Sequence, residues 1–124
     1  TGGEPTLQMD AELSTVFKDN GYYIAVETNG TRHMPINWVD WITVSPKSAE
    51  HTIFQQAANE VKYVRHYGQA CPKTTIKAEH YLISPAFDPE GKLDCQTLNW
   101  CMQLVKDNPN WRLSVQQHKQ WGIR

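Results

Sequence analysis

Segments that read as strands alternate with segments of helical spacing from one end of this chain to the other. A chain built this way is restricted to parallel strands joined by crossover connections. Met9, Leu13, Val16 and Phe17 follow the i, i+4, i+7, i+8 spacing of one helix face, and Asn20-Gly21 supplies a stop, because glycine tolerates the left-handed conformation just past a helix. Tyr22 to Thr28 is aromatic and β-branched and predicts a strand. A second is expected over Val39 to Val44, after the loop containing Pro35. Ser48 is placed to cap a short helix over Ala49 to Asn59. Strands follow at Val61 to Tyr67 and His80 to Ile83. Leu98, Cys101, Met102 and Val105 mark a helix that ends near Asn108-Pro109, and Trp111 to Gln116 predicts a last strand.

The 124 residues amount to one domain at most. A closed eight-fold βα barrel needs about 250 residues, so the pattern implies a partial barrel with helices on its outer face. Thr1-Gly2-Gly3-Glu4-Pro5 has the composition of a strand-to-helix turn that cradles a ligand. A turn of that kind implies a strand before it, so the expectation is the C-terminal part of a longer barrel, with one sheet edge left unpaired.

The formal net charge of -1 argues against a general nucleic-acid binder, which carries a basic excess. No apolar run is long enough to span a membrane and no signal-peptide pattern is present, which gives a cytoplasmic reading. Asn110 to Arg124 holds Arg112, Lys119 and Arg124 and no acid, as a solvated surface or a seat for a small anion would. Cys71, Cys95 and Cys101 are odd in number and match no zinc or iron–sulfur spacing, so they read as reduced thiols, with Cys101 on an apolar helix face. Histidines 33, 51, 66 and 80 show no metal-ligand spacing, and tryptophans 38, 41, 100, 111 and 121 read as core and helix-packing residues.

Buried parallel strands are nearly all apolar, yet here polar residues collect at strand ends. Period-two alternation puts Glu27 and Asn29 on one face, Ser45 and Lys47 on one face, and Gln116 and His118 on one face. Ile83-Ser84-Pro85 ends a further strand. Taken singly, each is an ordinary strand-end or turn residue. Together they fall where βα folds bind ligands, at the carboxyl ends of successive strands.

These segments resemble a known family. Gly2-Gly3-Glu4-Pro5 is similar to the GGEP motif of radical S-adenosylmethionine enzymes. Glu27-Thr28-Asn29-Gly30-Thr31, Asp40 to Lys47 and Trp111 to Lys119 resemble, in this order, the 7-carboxy-7-deazaguanine synthase subfamily, and the likeness runs from end to end. It implies a partial (β/α)6 barrel, of which this chain would be half to two-thirds, in a homodimer. It also implies a [4Fe–4S] cluster on three cysteines, S-adenosylmethionine, Mg2+ and a reductant such as flavodoxin. The reaction implied converts 6-carboxy-5,6,7,8-tetrahydropterin to 7-carboxy-7-deazaguanine, by a 5′-deoxyadenosyl radical and ring contraction with loss of ammonia, on the route to queuosine and other 7-deazapurines.

Carried over residue by residue, Gly2, Gly3 and Glu4 would hold the amino group of S-adenosylmethionine. Glu27 and Asn29 would reach its ribose and methionine parts, and Ser45 and Lys47 would complete that wall. Thr1, Gln116, His118 and the terminal carboxylate on Arg124 would face the pterin. The three-cysteine motif does not occur, Gln117 stands where the family usually has Thr, and Ser84-Pro85 stands where a Gln-Pro pair is common. The expectation is therefore no metal site and no catalytic residue in these 124 residues, and no turnover by them alone. Two other readings share the features. One is an activase of a glycyl-radical enzyme, which has the same turn but a protein substrate, against which Gln116 and His118 argue. The other is a non-catalytic remnant that binds S-adenosylmethionine or a nucleotide.

Overall fold

The computed structural model describes residues 3–123. Five strands, β1 (Ala25–Thr28), β2 (Trp41–Val44), β3 (Ala57–Arg65), β4 (Lys77–Pro85) and β5 (Trp111–Leu113), are hydrogen-bonded in chain order. The pairs β1–β2, β2–β3 and β4–β5 are parallel. Backbone bonds from Lys77 N to Gln56 O and from Ala86 N to Arg65 O run the same way along β3 and β4. Three helices accompany them: α1 (Ala11–Asp19), α2 (Cys95–Asp107) and the short α3 (Gln117–Gln120). This α/β chain with parallel strands divides into two compact units, residues 1–61 with 74–79, and residues 62–73 with 80–124.

The first unit is built around Val26, Met34, Ile42, Val44, Ile53, Val61 and Ile76, all buried. Ile42 pairs with Val26 and Val44 with Thr28, so one face of β1 and β2 is continuous with this core. α1 begins at Asp10, whose carboxylate accepts from Leu13 N, and ends before Gly21 at φ +75°. Its packing differs from the expected face. Leu13, Val16 and Phe17 are exposed, and Ser14 is the helix's buried residue. Ser14 donates to the carbonyl of Trp38 and Lys18 Nζ donates to that of Asn37, so two polar side chains one turn apart dock α1 on the 36–38 turn. The apolar stripe lies to one side of that contact.

The segment after Ser48 does not form the expected helix. Ser48 exchanges a hydrogen bond with Thr52 and caps nothing, and after a single turn at Glu50–Thr52 the chain runs extended into β3. The reason is tertiary. Phe54 N and Gln55 N both donate to the carbonyl of Gly30, while the buried Gln55 side chain accepts from Met34 N and donates to Ala57 O. Those bonds require an extended backbone and outweigh local helix propensity. β3 therefore starts four residues before the expected strand, at Ala57 instead of Val61. β1 and β2 are shorter than expected and β4 longer.

In the second unit Tyr63, Ile83, Ala86 and Cys101 are buried. Asp94 caps α2 with bonds from Gln96 N and Thr97 N, and the helix ends at Asn108 as the sequence predicts. Trp111 meets Tyr63 and Tyr81 edge-on, at centroid separations of 6.0 and 5.4 Å. The tryptophans are not core residues: four are half-buried and Trp121 is 67% exposed. β5 ends at Leu113, so Gln116 and His118 are not alternate residues of a strand. Gln116 precedes α3 and His118 lies within it, where period two does not apply.

Candidate functional site

The carboxyl ends of β1 and β2 open into a cleft of about 600 Å3 in the first unit. Gly3, Glu4, Glu27, Asn29, Ser45 and Lys47 line it, six residues brought together from three separate stretches of sequence. Thr1, Gly2 and Arg124 lie outside the described residues. Gln116, half-buried, and His118, exposed, belong to the second unit.

The turn over Gly3, Glu4 and Pro5 fixes Glu4. Gly3 has φ +71°, a conformation that glycine adopts without a Cβ clash. Pro5 opens a single turn, Pro5–Leu7, and the Glu4 carboxylate caps it, Oε1 accepting from Thr6 N at 3.2 Å and Thr6 Oγ1 at 2.7 Å. The same oxygen accepts from Thr28 Oγ1 at 2.6 Å, and Oε2 accepts from Asn29 N at 2.8 Å. Partial burial opposes ionisation of Glu4. The Asn29 amide, the Thr28 and Thr6 hydroxyls and the Thr6 amide outweigh it and hold the carboxyl below its ordinary value.

At the end of β1, Asn29 Oδ1 accepts from Thr31 N at 2.8 Å and Thr31 Oγ1 at 2.7 Å. That Asx turn commits the amide oxygen, so the Nδ2 donor is the part of Asn29 left for a ligand. Gly30, at φ +79°, packs where a Cβ would lie 2.8 Å from Val44 Cγ1 and 2.9 Å from Ile53 Cγ2. From the end of β2, Ser45 N donates to Thr28 O at 2.8 Å and the buried Ser45 hydroxyl accepts from Lys47 Nζ at 2.9 Å. The cleft thus offers two carboxylates, one ammonium and an amide donor. That set suits a small ligand carrying a cation and an anion. Its charged lining is suited to binding and orienting such a ligand.

Sequence comparison bears on what kind of protein carries this cleft. No protein-family model matches the chain. Among curated proteins, the 7-carboxy-7-deazaguanine synthase of Bradyrhizobium diazoefficiens is 38% identical over 127 positions, covering 100% of this chain and 58% of the relative. The enzyme of that name from Caulobacter vibrioides is 38% identical over 126 positions, 99% of this chain and 57% of the relative. Over its whole length the chain is similar to a part of these 7-carboxy-7-deazaguanine synthases. The synthase of Bacteroides thetaiotaomicron, 35% identical over 124 positions, is covered to 63%. The chain thus spans about three fifths of the length of the synthases it matches.

Thr28, which lines the cleft, and Thr6 and Thr31, which bond to its lining residues Glu4 and Asn29, were not among the candidate site residues. Thr28 carried a signal: period two puts it on the same face as Val26, and a hydroxyl on a buried face needs a partner. The cysteines stand apart. Cys101 is buried and Cys71 half-buried, and burial pushes both thiols up, against the pull of the Arg65 guanidinium. Cys95 is exposed. Among the described residues no three Cys, His, Asp or Glu side chains are grouped to hold a metal ion, and no helix is long and apolar enough to cross a membrane. In the second unit Ser84, at the end of β4, is buried with no partner for its hydroxyl among the described residues.

Proposed function

We propose that this chain is a portion of a 7-carboxy-7-deazaguanine synthase and that the cleft at the ends of β1 and β2 seats the methionine end of S-adenosylmethionine. The carrying observation is the convergence of Glu4, Glu27, Asn29, Ser45 and Lys47 on one cleft, in a chain similar throughout to a part of those synthases. The donor set fits an amino acid. Glu4 Oε2 keeps a lone pair for the ammonium, and Lys47 with the Ser45 hydroxyl suits the carboxylate. Glu27 and the Asn29 amide suit ribose hydroxyls.

S-adenosylmethionine, when cleaved by reduction, supplies the radical that abstracts hydrogen from the tetrahydropterin. This chain's part is to bind and orient it. The fuller reading is a (β/α)6 radical S-adenosylmethionine barrel, acting as a cytoplasmic homodimer with Mg2+ and a flavodoxin-type reductant. In it Gly2 and Gly3 hold the amino group, while Thr1, Gln116, His118 and Arg124 face the pterin. Cys71, Cys95 and Cys101 do not fit an iron–sulfur cluster, and no step is assigned to a cluster on this chain.

The test is turnover. The full-length protein containing this chain, reconstituted anaerobically and given S-adenosylmethionine, dithionite and 6-carboxy-5,6,7,8-tetrahydropterin, is expected to yield 7-carboxy-7-deazaguanine by mass spectrometry. Formation of 5′-deoxyadenosine without that product would reject the substrate assignment.

A further inference from the structure

Glu4 and Thr28 are twenty-four residues apart and joined by a 2.6 Å hydrogen bond. Thr28 is 3% exposed, on the core-facing side of β1. Its hydroxyl also accepts from Gly30 N at 3.1 Å, so one oxygen ties the Glu4 turn to the turn that ends β1. An ionised carboxylate has about four lone-pair positions. Among the described residues Oε1 has three donors, Thr6 N, Thr6 Oγ1 and Thr28 Oγ1, whereas Oε2 has Asn29 N alone.

We propose that Thr28 is a positioning residue for the cleft: its hydroxyl locks the Glu4 carboxylate in one rotation, so that Oε2 alone is offered to a ligand cation. Glu4 does not need a new conformation to receive the ligand, and the geometry of the ammonium is set before it arrives. Its ligand half rests on the reading of the cleft as the seat of S-adenosylmethionine; its structural half does not. The other titratable groups lining the cleft are Glu27, on β1, and Lys47, after β2.

The experiment uses the full-length protein and its Thr28→Val and Thr28→Ser variants. Two quantities are read: the Glu4 titration midpoint, from its side-chain carboxyl 13C shift, and S-adenosylmethionine affinity, by calorimetry. Valine keeps the shape of threonine and removes the donor; serine keeps the donor. In Thr28→Val the Glu4 midpoint is expected to rise and affinity to fall about tenfold, the effect of losing one hydrogen bond to a charged group. Thr28→Ser is expected to restore both.

An unmoved Glu4 midpoint in folded Thr28→Val overturns the lock. A raised midpoint with unchanged affinity overturns its role in binding. Wild-type protein that does not bind S-adenosylmethionine rejects the reading of the cleft, while the midpoint still decides the lock. Should valine prevent folding, Thr28→Cys replaces the hydroxyl with a weak donor of similar size, and its midpoint is read the same way.

Discussion

Gly30 rests against Val44 with no space for a side chain: a Cβ there would stand 2.8 Å from Val44 Cγ1. The close approach lets the turn after β1 lie flat on β2, and the Gly30 carbonyl then receives Phe54 N and Gln55 N. The turn that carries Asn29 into the cleft is thereby fastened to the core. Gly30→Ala is expected to destabilise the fold by about 2–4 kcal/mol, combining a positive φ with overpacking. Urea denaturation of the full-length protein checks this, and an unchanged midpoint would contradict it.

Glu4 gives the cleft a pH dependence. Its carboxyl is held below the ordinary value of 4.5, so the ionised form is favoured in the folded state. That stabilisation is fully present above the unfolded value and is lost as pH falls through the lower folded value. Glu4→Gln has no such group to titrate. Wild type is therefore expected to be the more stable above about pH 4.5, with the gap closing below it. Chemical-denaturation midpoints across pH 3 to 7 (the range, roughly, in which carboxylates titrate) decide it, and a gap independent of pH would refute the role assigned to the carboxylate.

Lys47 is the cationic side chain lining the cleft, and its ammonium donates to the buried Ser45 hydroxyl. Lys47→Met keeps the length and removes the charge. Affinity for S-adenosylmethionine in the full-length protein is expected to weaken at least about tenfold, because a charge-assisted bond to the ligand carboxylate is lost. A methionine variant that binds like wild type would move the carboxylate elsewhere.

The three thiols should differ in reactivity. Cys95 is exposed at the start of α2, Cys71 is half-buried, and Cys101 is buried with its thiol directed at Arg65 O, 3.7 Å away. Burial raises the thiol pKa of Cys71 and Cys101, so less thiolate is present at a given pH. Alkylation at about pH 8, near the ordinary thiol value, is expected to label Cys95 first and Cys101 last. Peptide mass spectrometry reads the order, and early labelling of Cys101 would contradict its place in the core.

Local chemistry was enough to set several features in advance. Asn20-Gly21 stops α1 because a stop acts on its own turn. Asn108 ends α2 by a similar local mechanism. Glu27, Asn29, Ser45 and Lys47 could be placed at or just past strand ends because the β-branched and aromatic runs before them mark β1 and β2, and the structure collects them at one cleft; period-two alternation itself holds only within a strand. Where that period stops, the inference stops too: Gln116 and His118 seemed to share a face only while the chain was taken as extended, and α3 ends that.

Long-range bonds decided the rest. The segment before Ala57 runs extended because Gly30 and Met34, more than twenty residues earlier, draw on its backbone and on Gln55. α1 turns Ser14 inward and reaches out with the exposed Lys18 because two carbonyls of the 36–38 region are there to receive them, and its leucine, valine and phenylalanine are left outside. The Glu4 carboxylate accepts from Thr28, twenty-four residues further along the chain. A cap or an alternation is a property of neighbours in sequence, whereas each of these contacts pairs groups that meet only when the chain has folded, and no pattern along the sequence carries their geometry.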